Sequence, residues 1–152
     1  MHAQRRPKNS VPTTRIIVAD DFSPWRAQIR TILQCKPDWE IVCEACDGLQ
    51  AIVKTAELRP DVVLLDIAMP VVNGIEAAKQ IRQESPDCRI LFVTNNDDKD
   101  IEVSALESGA KGYLLKSNAG TDLVPAIVAA LDDETITNYN LRSVHYRQQT
   151  LL

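Results

Sequence analysis

No run of apolar residues in this sequence approaches the roughly 18 that a membrane-spanning helix requires, which excludes a spanning segment. The N-terminus also lacks the apolar core of a signal peptide, so the expected location is the cytoplasm. Positive charge is in short supply: 17 Lys and Arg stand against 21 Asp and Glu, a net −4. Without a basic patch or stripe, nucleic acid is not an expected partner of this chain. Cysteine is scarce, with only Cys35, Cys43, Cys46 and Cys88, and these are expected to be reduced thiols rather than a disulfide framework. Cys43 and Cys46 match C-x-x-C, but no second pair and no nearby histidine completes a zinc set. On a strand, their offset of three points them to opposite sides, so they read as packing cysteines. At 152 residues the chain is long enough for one domain with a proper core and too short for two.

What the sequence does have is a regular alternation. Residues 1–14 are polar, with Arg5, Arg6, Lys8 and prolines at 7 and 12, and read as a disordered tail. Residues 15–19 (RIIVA) are a first strand, ending on Asp20 and Asp21. Ser23 as N-cap and Pro24 at the first helical position open a helix whose apolar face carries Trp25, Ile29, Ile32 and Leu33. Residues 40–45 are a second strand. Residues 49–58 are a second helix, with Ile52, Val53 and Ala56 facing inward, stopped by Arg59-Pro60. Val62, Val63, Leu64 and Leu65 form a short unbroken apolar run, the mark of a strand buried on both faces of a parallel sheet, and it ends on Asp66. A helix at 75–84, a strand at 89–93 ending on Thr94, and a polar helix at 97–108 closed by Gly109 follow. The last pair is a strand at 112–115 ending on Lys116 and a helix at 120–131. Pro125 conflicts with that helix unless it starts near Asp122 or its first turn is distorted. The expected domain is residues 15–132, with 133–152 a tail or the start of a linker, too short for an output domain. Five βα units in succession mean a doubly wound α/β fold around a parallel sheet.

Four of the five strands end on a chemically active side chain: Asp20 with Asp21, Asp66, Thr94 and Lys116. In a parallel sheet those ends share one edge, the edge where ligands bind in such folds. Two like charges about 4 Å apart cost roughly 4 kcal/mol at an effective dielectric of 20. A cluster of three carboxylates must therefore take a proton, spread apart or bind a cation. Oxygen-only ligands at a rim suit Mg²⁺.

These pieces resemble a bacterial two-component response-regulator receiver domain over roughly residues 15–131. The resemblance rests on Val18-Ala19-Asp20-Asp21, on Leu64-Leu65-Asp66-Ile67-Ala68-Met69-Pro70 with Gly74, on Thr94, and on the run from Gly109 to Lys116. The run from Gly112 through Gly120 is most similar to receivers of the nitrate-regulator type, which carry a helix-turn-helix output domain. The resemblance implies a flavodoxin-like five-stranded sheet in the order 2-1-3-4-5. It implies that Asp66 accepts a phosphoryl group from a histidine on a sensor kinase or phosphotransfer protein. Mg²⁺ would be held by Asp21, Asp66 and the backbone carbonyl of Ala68, with Asp20 acting mainly through water. Lys116 and Thr94 would each hold a phosphoryl oxygen, Gly74 would let the loop after Pro70 turn, and Thr94 with Tyr113 would form the switch. The switched surface, on the fourth helix, fifth strand and fifth helix, would meet a partner or a second copy in a homodimer. Such a chain promotes its own phosphorylation and dephosphorylation without turning over an external substrate. His2 and His145 lie outside the motif, so the donor is another molecule.

Three positions depart from the family pattern. Ser117 replaces the proline that many receivers place after the lysine, in a cis bond, and a trans bond is expected here. Asn95 is bulkier than the usual residue and is expected to crowd the pocket, while Ala68 leaves its side open. Two other readings are distinguishable. A receiver fold used without phosphorylation would lack an acidic, Thr or Lys position, and none is missing. A phosphatase of the haloacid-dehalogenase type would want a second Asp two residues after the first, where Ala68 stands.

Overall fold

Continuous apolar strands joined by amphipathic helices leave one economical arrangement, with the strands in the middle and helices on both faces. The computed structural model, which describes residues 13–135, has it. The elements run β1 (Thr14–Ala19), α1 (Ser23–Leu33), β2 (Trp39–Ala45), α2 (Gly48–Leu58), β3 (Val62–Leu65), α3 (Gly74–Glu84), β4 (Arg89–Thr94), α4 (Lys99–Glu107), β5 (Gly112–Leu115), a 3₁₀ turn (Lys116–Asn118) and α5 (Ala119–Leu131). All strands are parallel, in the order β2-β1-β3-β4-β5. The first strand starts at Thr14, one residue earlier than expected. Of the expected tails, residues 1–12 and 136–152 lie outside the described residues.

Alternate residues of each strand face opposite sides. Ile16, Val18, Val62, Leu64, Leu91, Val93 and Leu114 pack under α1 and α5. Ile17, Ala19, Val63, Leu65, Ile90, Phe92 and Tyr113 pack under α2, α3 and α4. All four β3 side chains are buried. At about 1.5–3 kcal/mol for each fully buried large aliphatic, β3 is a firm support for the residue that follows it, Asp66.

Several expectations move. Ser23 is not the cap of α1: Phe22 takes the extended cap position with no side-chain cap, and Ser23 is already helical. The Phe22 N–H donates to the Asp20 carboxylate at 2.9 Å, so a site residue fixes the chain where it enters the helix. In α2 the inward face is Ala51, Ile52 and Thr55, while Val53 and Ala56 point outward. Against the small residues Ala77 and Ala78 of α3, small side chains let the two helices approach closely. The polar helix α4 is shorter at both ends than expected, because Asp98 caps it by accepting from the Asp100 N–H. Gly109 does close it, at φ +99. The last helix runs from Ala119 straight through Pro125 rather than beginning near Asp122. The hydrogen bond that Pro125 cannot make would have gone to the carbonyl of Thr121, an exposed residue that water can serve. Of the C-x-x-C pair, Cys43 is half-buried at the edge of the core. Cys46 lies past the end of β2, exposed, and packs in no core; its backbone N–H donates to Gln50.

Candidate functional site

The strand register brings the expected side chains together. Leu65 of β3 lies beside Phe92 of β4, and Thr94 beside Leu115 of β5, so Asp66, Thr94 and Lys116 all emerge at the C-terminal edge. Asp20 and Asp21 follow β1, whose Ala19 pairs with Leu65. Oxygens of Asp20, Asp21 and Asp66 come within 4.8 Å of one another. Asp20 is 1% exposed and Asp66 7%, while Asp21 is open to solvent.

Lys116 provides the counter-charge. Its ammonium lies 2.7 Å from Asp20 Oδ2 and 3.3 Å from Asp66 Oδ2. The other oxygens are fixed by main-chain donors: Phe22 N–H to Asp20 Oδ1, and Ile67 N–H to Asp66 Oδ1 at 2.7 Å. Asp20 Oδ2 is buried, and the Lys116 ammonium at 2.7 Å is its partner. Burial pushes the Asp20 carboxyl above its ordinary range, and the charge on Asp66 adds to the rise. The hydrogen bonds from Lys116 and Phe22, and the Lys116 charge, pull the other way without cancelling it. The described bonds include no cis peptide, so Lys116–Ser117 is trans, and the 3₁₀ turn that starts there still delivers the ammonium to both carboxylates.

Thr94 is buried on the same edge, and its hydroxyl accepts from the Asn96 N–H at 3.2 Å. Asn95 is exposed, and so is Ala68, on the loop beside Asp66. Tyr113 is fully buried against Phe92, with ring centroids 6.4 Å apart, and its hydroxyl donates to the Asn96 carbonyl. Burial first, and then nearby carboxylates, push its phenol up to about 12. The ring is therefore held inward.

Gly74 has a different task from the one expected. A Cβ there would sit 1.9 Å from the carbonyl oxygen of Asp66, so glycine is required for close approach of α3 to the site. The turn itself falls on Val71, whose φ of 69° is left-handed.

Two site residues escaped the sequence reading. Arg26 donates to the Asp20 carbonyl at 2.6 Å. Trp25, expected only as part of the apolar face of α1, also lies under the Lys116 ammonium, 5.2 Å from ring centroid to Nζ. Their position within one helical turn of Asp21 was the available signal.

A divalent cation fits this donor set. Three carboxylates within 4.8 Å of one another offer only oxygen, the preference of a hard ion, and the exposed Asp21 has no ammonium beside it, among the described residues, to compete with a cation. Among the described residues, no helix is long and apolar enough to cross a membrane.

Comparison with known proteins agrees with this geometry. Oxygen regulatory protein NreC of Staphylococcus epidermidis is 38% identical over 128 residues, which is 84% of this chain and 59% of NreC. Transcriptional regulatory protein LiaR of Bacillus subtilis is 38% identical over 120 residues, 79% of this chain and 57% of LiaR. The chain thus spans a little over half the length of these curated relatives. Among solved structures, a LuxR-family two-component response regulator from Aurantimonas sp. matches at TM-score 0.80 and 32% identity, covering 91% of this chain and 99% of that one. The receiver domain of the putative response regulator NarL from Mycobacterium tuberculosis matches at TM-score 0.76 and 31% identity, covering 80% and 98%. Residues 16–128 match the response regulator receiver domain family, and the chain belongs to it.

Proposed function

We propose that Asp66 is the phosphoacceptor of a two-component signalling reaction carried by residues 15–132. The observation that carries this reading is the buried Asp66 carboxylate within reach of two more carboxylates and the Lys116 ammonium, at the open edge of the sheet. In the reaction, a carboxylate oxygen of Asp66 attacks the phosphorus held on a histidine nitrogen of a sensor kinase or phosphotransfer protein. The P–N bond breaks as the P–O bond forms, leaving an acyl phosphate.

A bound Mg²⁺ would supply charge stabilisation at the phosphoryl oxygens. Asp21, Asp66 and the Ala68 carbonyl are the residues to hold it, with Asp20 acting through water. Asp21 is the stronger candidate of the pair because it is exposed, whereas Asp20 already serves Phe22 and Lys116. Lys116 turns from Asp20 to a phosphoryl oxygen. The Thr94 hydroxyl moves toward another, releasing Asn96 and so loosening the start of α4. The surface made by α4, β5 and α5 then changes its fit to a partner or to a second copy of the chain. A cytoplasmic location belongs to the same reading, as does the absence of turnover on an external substrate.

Intact masses of wild type and Asp66→Asn after incubation with acetyl phosphate and Mg²⁺ test the proposal. Wild type gains one phosphate and the variant none. An equal adduct on both proteins overturns it.

A further inference from the structure

We propose that Trp25 is a positioning residue for Lys116, holding the ammonium at the rim through its indole face; the inference rests on the reading of Asp66 as phosphoacceptor. Lys116 is held from three sides: by Asp20 at 2.7 Å, by Asp66 at 3.3 Å, and by the Trp25 ring at 5.2 Å. Tryptophan is the best of the aromatic platforms for a cation, and the attraction grows when the pair is shielded from water. Both partners are shielded here, with Trp25 8% exposed and the Lys116 side chain 10%.

The placement follows from the first turn of α1. Pro24 is the second residue of the helix, and the Trp25 N–H bonds the Phe22 carbonyl at 3.0 Å, directly beyond the two strand-end aspartates. An aliphatic side chain there would cover the lysine stem equally well but exert no pull on its charge. A carboxylate or carbonyl would pull, but would commit one of the three N–H donors in a fixed direction. The aromatic face attracts the charge without fixing a donor. Lys116 can therefore leave Asp20 for a phosphoryl oxygen on Asp66 without leaving the ring.

The test compares side chains that share bulk but differ in π density. A series of progressively fluorinated tryptophans at position 25 keeps the shape while draining the ring face, and Trp25→Phe and Trp25→Leu extend the series. With acetyl phosphate and Mg²⁺, Trp25→Leu is expected to lower the initial phosphorylation rate about threefold to thirtyfold, the span from an exposed to a shielded cation–aromatic contact. Phenylalanine should restore most of that loss, and the rate should fall steadily with each fluorine. The ε-methylene protons of Lys116 should resonate upfield in wild type and return to ordinary shifts in Trp25→Leu. Trp25→Leu should lower beryllofluoride affinity by a similar factor when Lys116 is present, and leave it unchanged within about twofold in a Lys116→Met background. A flat fluorine series, equal losses in the Phe and Leu variants, or an undiminished Leu effect without Lys116 would overturn the proposal. If instead Asp66→Asn takes up phosphate like wild type, the phosphoacceptor reading fails, while the Lys116 shifts still decide the contact.

Discussion

Helices α4 and α5 flank the same strand and are held in opposite ways. Helix α5 buries Ala119, Leu123, Ala126, Ile127, Ala129 and Ala130 against the sheet, enough to carry an interior proline. Helix α4 buries only Ala105, leaves Val103 half in solvent, and begins with Asp98, Asp100 and Glu102. A groove of about 620 Å³, lined by Ile75 and Lys79 of α3 and Ile101 and Ser104 of α4, further separates α4 from its neighbour. Its start is tied down by single polar contacts, from Thr94 and Tyr113 to Asn96. Elements that move are drawn from the least stable part of a structure. The contrast teaches that stability here is concentrated under α1 and α5, and that α4 and the site rim give it up.

The largest effect that bears on this contrast is in α5. Ile127→Ala is expected to cost about 3 kcal/mol, because Ile127 is fully buried and a cavity would remain. Val103→Ala in α4 should change stability by no more than about 0.5 kcal/mol. Urea unfolding of the two variants measures both, and comparable losses would erase the distinction between the helices.

In the site the sign reverses. The folded-state carboxyl of Asp20 titrates above its ordinary value of 3.8. Such a group favours folding fully below the unfolded value, and loses that contribution as pH rises through the folded one. At neutral pH the ionised Asp20 therefore works against stability, and Asp20→Asn should raise the melting temperature by a few degrees. The gain should shrink as pH is lowered through the raised pKa toward 3.8. Added Mg²⁺ should narrow it too, by stabilising wild type more than the variant. Thermal melts across that pH range, with and without Mg²⁺, check this; a gain that persists in acid would place the cause elsewhere than in ionisation.

The strands and the site edge were readable because punctuation and chemistry coincide there. Val62–Leu65 is bounded by Pro60 and Asp66, and Gly112–Leu115 by Gly109 and Lys116, so both strands fell where expected. The strand order was not readable from the residues, since alternation alone allows several, and it came from the family likeness. The inward face of α2 was misjudged because Ile52 is its only large buried aliphatic. The choice between Thr55 and Ala56 beside it depends on how closely α3 packs. Asn95 could not be placed from its size, because the direction of the chain after Thr94 is a tertiary property. The Trp25–Lys116 contact joins residues far apart in sequence, and only the assembled sheet brings them together.

The tether between β5 and α4 can be cut by one atom. Tyr113→Phe removes the hydroxyl that donates to Asn96 and should cost about 1 kcal/mol. Amide exchange across residues 99–107 should quicken while α5 stays protected. The same bond has an alkaline limit. The phenol's folded pKa is about 12 against an ordinary 10.0, so its contribution is intact below 10 and is lost as pH rises toward 12. Wild type should show that step in α4 exchange and Tyr113→Phe should not. A step in both would assign it to another group.

The smallest effect falls on the loop between Asp66 and α3. Val71 has a left-handed backbone, φ 69°, and its side chain is 75% exposed. For a β-branched residue this conformation costs about 1–2 kcal/mol, since Cβ crowds the neighbouring carbonyl. Burial returns almost none of that at such exposure. Asparagine accepts the left-handed region more readily, so Val71→Asn should stabilise the protein by about 0.5–1 kcal/mol. The gain should appear with phosphorylation by acetyl phosphate unchanged, because Val71 makes no hydrogen bond to the carboxylates among the described residues. If chemical unfolding shows no gain, or a loss, the valine side chain contributes to folding. The rim would then belong with α5 among the parts that hold the molecule together, and the division between holding and acting regions would have to be redrawn around α4 alone.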